Sequence, residues 1–227
     1  MTWRGNVDHK REIINDIQSI AGRYSPYEVF SDWIRSAALA IQNNIDLFHG
    51  KLWKEREQEY LNTVSKYTPA ELKKICGLTG HLTMALEENL EDVLGDVYMK
   101  SNMGSKQTGQ FFTPYNLSRL TAQLAIGENL KEEDGMIAIN EPSCGGGGMI
   151  IAACAVLKDA GINYQTKLDV VAQDLDWKGV YMTYLQLSLI GCRAIVVQGD
   201  TLITPFDPAK TDRAHMLFTP ARLGMLE

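Results

Sequence analysis

The chain has 227 residues, 45% hydrophobic and 22% charged, with a net charge of −6; that supports a buried core in one large or two small domains and excludes a disordered chain. The acidic balance excludes a broad basic surface, so contact with nucleic acid is expected through a local patch or a partner protein. Cys76, Cys144, Cys154 and Cys192 show no C-x-x-C pairing, no signal peptide is apparent, and no apolar run reaches the ~18 residues of a membrane span, so the expected setting is the reducing cytoplasm, with no membrane contact.

From residue 9 to about 103 the chain is rich in helix formers, with apolar residues at helical spacing over 28–48, 52–64 and 72–99. Breaks fall at Ser25-Pro26, Gly50 and Thr68-Pro69. The mixed-sign run at 51–59 reads as a solvated helix face. Residues 1–103 are therefore expected to form a helical domain, and residues 104–227 a second one that opens with a polar loop at 104–109. From Met136 onward strand-like and helix-like runs alternate: strands at 136–140, 168–173, 194–198 and 215–218, helices at 149–160 and about 177–190. This alternation predicts an α/β fold with right-handed crossovers and a parallel sheet. No internal repeat or low-complexity segment interrupts it.

Between the first strand and the following helix lies Asn140-Glu-Pro-Ser-Cys-Gly-Gly-Gly-Gly148. A tight turn needs one or two glycines, and four in a row weaken it unless something lies against the bare backbone. At the carboxyl end of a parallel strand, where a helix amino terminus offers free N–H groups, that something is expected to be a ligand. The first three predicted strands run into Glu141-Pro142, Gln173-Asp174 and Gly199-Asp200. Carboxylates at three matching positions suit a ligand with hydroxyls and amine donors, although each taken alone also suits a turn or a helix cap. A nicotinamide dinucleotide is disfavoured, because its G-x-G-x-x-G fingerprint needs glycine where Ile150 stands.

With residues 92–99 (DVLGDVYM), 109–114 (GQFFTP), 141–148 (EPSCGGGG), 173–174 and 199–202 (GDTL), the chain resembles the modification subunits of type I restriction systems. Those are S-adenosylmethionine-dependent adenine-N6 DNA methyltransferases, and the resemblance covers roughly residues 80–205. It implies a helical amino-terminal region followed by a partial Rossmann-like methyltransferase sheet. It implies that Phe111, Phe112, Thr113 and Pro114 reach over the methionine end of S-adenosylmethionine. On the residues alone, Thr113-Pro114 also reads as the N-cap and first residue of a helix. The resemblance assigns Glu141 to the acid that faces the cofactor's methionine region, Pro142, Ser143, Cys144, Gly145 and Gly147 to the loop against the cofactor, and Asp174 with Leu175 to the ribose. Asp176 is the rival ribose acid, and Asp200 with Thr201 falls to the adenine amine.

The resemblance weakens at the transfer chemistry. The family carries Asn-Pro-Pro-aromatic after its fourth strand, to accept hydrogen bonds from the target adenine amine and to stack on the flipped base. Here the matching positions are Thr219, Pro220, Ala221 and Arg222. Thr219 and Pro220 are thus the candidate catalytic residues. The family's sheet has seven strands and this sequence supplies four, the fourth an edge that the helical half or another chain must cover. Target choice in these systems belongs to a specificity subunit. The expected partners are therefore DNA, through another protein, and a specificity subunit or a second copy completing the sheet. Two readings stay open, an adenine methyltransferase and a catalytically silent S-adenosylmethionine-binding module. His9, His49, His81 and His215 show no ligand spacing, so no metal site is expected. Trp177, Tyr181 and Tyr184 follow helical spacing and read as core or as cover for a bound adenine.

Overall fold

The computed structural model describes residues 7–101, 103, 112–127 and 135–224. Phe111 and the expected loop at 104–109 lie outside the described residues.

Local chemistry sets the helix starts. Asp8 caps α1 (His9–Ile20). Capping boxes pair Ser25 with Glu28 and Thr68 with Glu71, with Pro26 and Pro69 at the first turn, and these open α2 (Pro26–Ile45) and α4 (Pro69–Glu88). Between them runs α3 (Lys51–Val64). The single helix expected over 72–99 is in fact two. Asp92 turns its carboxylate onto the Gly95 N–H at 2.9 Å and starts α5 (Val93–Lys100) afresh. The helix start read at Thr113-Pro114 is present one residue later, as α6 (Tyr115–Ile126). Its N-cap is Pro114 and not Thr113, with no side-chain cap bond.

The second half alternates β1 (Ile137–Glu141), α7 (Gly148–Asp159), the short α8 (Tyr164–Lys167), β2 (Leu168–Asp174), α9 (Trp177–Leu189), β3 (Arg193–Gln198) and β4 (Met216–Phe218). The strand order is β1-β2-β3-β4. β1, β2 and β3 are parallel, in the register Ile139 to Val170 and Val171 to Ile195. The expectation of a parallel sheet fails at the last strand, since β4 runs antiparallel to β3 with Leu217 opposite Val196. A parallel return needs a long crossover. The 199–215 connection holds turns and one 3-10 turn, Arg213–His215, so the chain doubles back along the neighbouring edge.

The α9 helix lies between the sheet and the amino-terminal helices. Val180, Tyr184, Leu185 and Leu187 are fully buried, and one continuous core joins them to Phe30, Trp33 and Leu78 on one side and Val170 and Val196 on the other. Each such side chain contributes roughly 1.5–3 kcal/mol by leaving water. Trp177 stacks on Tyr181 at 5.2 Å and lies near His215 at 6.1 Å, so this aromatic series belongs to the packing around α2 and α3. The helical half also covers the β4 edge. Gln42 of α2 accepts the Phe218 N–H at 2.8 Å, and Arg222 pairs with Asp169 of β2 at 2.9 Å. Among the described residues, the outer edge of β1 has no strand partner.

Candidate functional site

The loop leaving β1 folds back across the end of β2. Ser143 N–H donates to Glu141 Oε1 at 3.3 Å, and Cys144 N–H donates to Gln173 O at 2.9 Å. Gly145 N–H then donates to Asp174 Oδ2 at 2.8 Å, and Gly147 N–H closes a turn onto Cys144 O at 2.7 Å. Gly145 and Gly147 hold φ of +50° and +88°, where other residues are strained.

Each of the four glycines faces a close neighbour. A Cβ on Gly145 would meet the Phe112 ring at 3.0 Å, and one on Gly147 would meet Thr183 Oγ1 at 3.1 Å. On Gly146 and Gly148 it would meet the Asp92 carboxylate at 3.2 and 3.0 Å. The loop carbonyls are held from α9. Thr183 Oγ1 donates to Gly145 O at 2.9 Å, and Gln186 Nε2 donates to Gly146 O at 2.7 Å and to Asp92 Oδ1 at 2.9 Å. Gly179, one turn earlier, lets α9 approach: a Cβ there would lie 3.0 Å from Asp174 Cγ and 3.1 Å from Gly145 O. The bare backbone therefore serves first to let the helical half and α9 close on the loop.

This clamp leaves binding groups free. The amino terminus of α7 has Gly147 as its cap and no side-chain cap bond, so its first-turn N–H groups point out with the positive end of the helix dipole. They open on a cavity of about 370 Å³ lined by Asp92, Phe112, Ser118, Cys144, Gly145 and Asp174. Asp174 accepts from Asp176 N–H at 2.9 Å and from Gly145 N–H at 2.8 Å, and a carboxylate with about four lone-pair sites has capacity left. Asp176 caps α9 through the Lys178 N–H at 3.1 Å. Burial pushes the Cys144 thiol up to about 12, and burial likewise raises the Glu141 carboxyl.

Of the sequence-predicted residues, Phe112, Thr113, Ser143, Cys144, Gly145 and Asp174 line this cavity together. Phe112 is supported edge-on by Tyr98, with ring centroids 5.3 Å apart. Pro142 is joined to the loop after β3, since Thr201 Oγ1 donates to Pro142 O at 2.6 Å. Asp200 turns its Oδ1 onto Leu202 N–H at 2.9 Å, a turn contact, and does not line the cavity. Glu141 lines a second cavity, between α6, α7 and β1. Leu175 is largely exposed.

Thr219 and Pro220 are not brought to this site. Thr219 is fully buried beside the start of β3, where its hydroxyl donates to Cys192 O at 2.7 Å and accepts from Ala194 N–H at 2.9 Å. The glycine loop lies at the other end of the sheet, and Ala194 and Gln198 alone are separated by about 13 Å of strand at ~3.3 Å per residue. Pro220 opens a 3-10 turn that runs to Leu223.

Asp92, Ser118, Gly179, Thr183 and Gln186 escaped the sequence reading as site residues. A signal existed for three of them. Positions 179, 183 and 186 place one small and two polar residues along a single face of a largely apolar helix. Among the described residues no group of His, Cys, Asp or Glu gathers to hold a metal, and no helix is long and apolar enough to cross a membrane.

A family model described as N-6 DNA Methylase matches residues 89–219, more than half of the chain. The chain is 30% identical over 140 residues to the type I restriction enzyme MpnII methylase subunit of Mycoplasma pneumoniae, covering 57% of this chain and 24% of that protein. It thus spans about a quarter of that relative's length. Two solved structures are similar at low identity. One is a Listeria monocytogenes protein assigned as a class I S-adenosylmethionine-dependent methyltransferase (TM-score 0.47, 12% identity, 86% of this chain and 54% of that one). The other is a type I restriction-modification methyltransferase subunit of Streptococcus thermophilus (TM-score 0.44, 15% identity, 84% of this chain and 43% of that one).

Proposed function

Because the chain belongs to the N-6 DNA methylase family, we propose that its glycine-loop cavity binds S-adenosylmethionine and that the chain is the cofactor-binding part of a type I adenine-N6 DNA methyltransferase. The observation that carries this reading is one cavity lined by the glycine loop, an uncapped helix amino terminus and the Asp174 carboxylate. The residues present fit the ligand: N–H groups for a carboxylate, lone pairs for a ribose diol and a Phe112 face for apolar cover.

When bound, S-adenosylmethionine supplies a methyl group on a sulfonium centre. Around it Asp174 both fixes the loop, through Gly145 N–H, and accepts from ribose hydroxyls. Thr183 and Gln186 hold the Gly145 and Gly146 carbonyls, so the loop is organised before a ligand arrives. Burial keeps the Cys144 thiol protonated at neutral pH, so it does not compete as a nucleophile for the methyl group. Thr113 and Ser143 line the same cavity; Pro114 and Pro142 adjoin these two in the chain, and Leu175, Asp200 and Thr201 are assigned to the nucleoside end by the family pattern alone.

DNA is the methyl acceptor class in this reading. With a net charge of −6 the chain gains little from phosphate neutralisation, so a partner, a specificity subunit or a second copy, brings the duplex in the cytoplasm. One observation favours a second reading, binding without transfer: the Thr219 hydroxyl is fully buried between Cys192 and Ala194, out of reach of an adenine amine. A thermal-shift titration tests the first reading. S-adenosylhomocysteine should raise the melting temperature in a saturable way while NAD does not; no shift on a folded sample at millimolar ligand contradicts it. Radiolabelled methyl transfer to adenine-containing DNA separates the two readings.

A further inference from the structure

Asp92 uses only one of its two carboxylate oxygens in structural hydrogen bonds. It is 6% exposed, and its structural contacts run through Oδ1, which accepts from Gly95 N–H at 2.9 Å and from Gln186 Nε2 at 2.9 Å. Oδ2 carries no hydrogen bond among the described residues and lies against Gly146 and Gly148, where Asp92 lines the glycine-loop cavity. An asparagine would make both Oδ1 contacts without the free-energy cost of burying a charge. Asp92 has no ion pair among the described residues; Lys10, a cation whose charge reaches it, is held by Glu91 at 2.9 Å and Asp96 at 3.0 Å. A second polar group lines the same cavity without a partner: Ser118 is fully buried on α6, and its Oγ is unbonded. Two buried acceptors thus border the same cavity as the uncapped amino terminus of α7. Acceptors and free N–H groups side by side complement the adjacent ammonium and carboxylate of an α-amino acid.

We propose that Asp92 Oδ2 and Ser118 Oγ receive the α-ammonium of the ligand's amino-acid end, while the first turn of α7 receives its carboxylate; this rests on the cofactor reading above. The other acids are poorly placed for the role. Glu141 lines the cavity behind α7, and Asp174, at the end of β2, is the acid assigned to the ribose. An ammonium at Asp92 also offsets the burial that raises its carboxyl above the ordinary range.

The test compares two ligands by calorimetry on the wild-type chain, Asp92→Asn and Ser118→Ala: S-adenosylhomocysteine, which has the amino-acid end, and methylthioadenosine, which lacks it. Asp92→Asn should weaken S-adenosylhomocysteine by about 10- to 100-fold and leave methylthioadenosine unchanged, since a charge-assisted contact is lost and the Oδ1 bonds are kept. Ser118→Ala, which removes a hydroxyl without a protein partner, should keep the fold and weaken only S-adenosylhomocysteine, by a smaller factor. If Asp92→Asn weakens both ligands alike or neither, Asp92 is a structural cap and the inference is overturned while the cofactor reading stands. If the wild-type chain binds neither ligand, the cofactor reading itself fails and this inference with it.

Discussion

The two ends of this sheet hold the two halves of the expected chemistry, and they differ in what their polar groups still have to do. At the carboxyl end of β1 and β2, Asp174, Thr183 and Gln186 hold the glycine loop, yet the α7 amino terminus and the Asp92 Oδ2 remain without protein partners among the described residues. At the amino end of β3, Thr219 is equally well ordered, but its hydroxyl is fully buried and bonded in both directions, to the Cys192 carbonyl and the Ala194 N–H. Order alone does not make a site. A binding site keeps buried polar groups in reserve, and a structural residue has none left.

Substitutions at each end should separate these roles. Gly147→Ala should have the largest effect, because φ of +88° and Thr183 Oγ1 at 3.1 Å both oppose a Cβ. It should lower stability by about 1–3 kcal/mol and abolish ligand binding, measured by urea unfolding and calorimetry. Normal binding in that variant would mean that the loop conformation is not what the ligand reads. Thr219→Val, at the other end, leaves the Cys192 carbonyl and the Ala194 N–H short of a partner. A stability loss of about 1–3 kcal/mol with unchanged affinity for S-adenosylhomocysteine is expected. A change in affinity would break the distinction between the two ends. Asp174→Ala should weaken that ligand by about 1–3 kcal/mol, since ribose hydroxyls and the Gly145 N–H lose their acceptor together.

The smallest effect concerns pH. Burial raises the Asp92 carboxyl above its ordinary value, so the folded chain holds that proton more tightly than the unfolded one. The contribution is fully present below the unfolded carboxyl value of about 3.9 and is lost as pH rises through the folded value. Asp92→Asn lacks this loss. Urea midpoints of the variant should therefore gain on wild type as pH rises from about 4 toward neutrality. A constant difference across that range would show that burial does not govern this group.

The sequence made the glycine loop, the strand-end acid Asp174 and the helical first half legible, because each follows from local pattern: glycine runs, alternating periods and the breaks at Ser25-Pro26 and Thr68-Pro69. What it hid is long-range. The Asp92–Gln186 bond joins residues 94 positions apart, and the Gln42 contact that covers β4 spans 176. No local signal predicts such pairings, and the same limit explains β4. Its apolar residues announced a strand, but its direction depends on which edge the 199–215 connection can reach. Asp92 read only as the first residue of a motif; its charge acquires meaning only beside Gly146 and Gly148.

Amide chemical-shift mapping tests the central claim most directly, because it reads both ends of the sheet in one experiment. On titrating S-adenosylhomocysteine into the isotopically labelled chain, the account predicts saturable shifts at Gly145–Gly148 and the first turn of α7, with Ala194 and Thr219 unmoved. Shifts centred on Thr219, or none at the glycine loop of a folded sample, would contradict it.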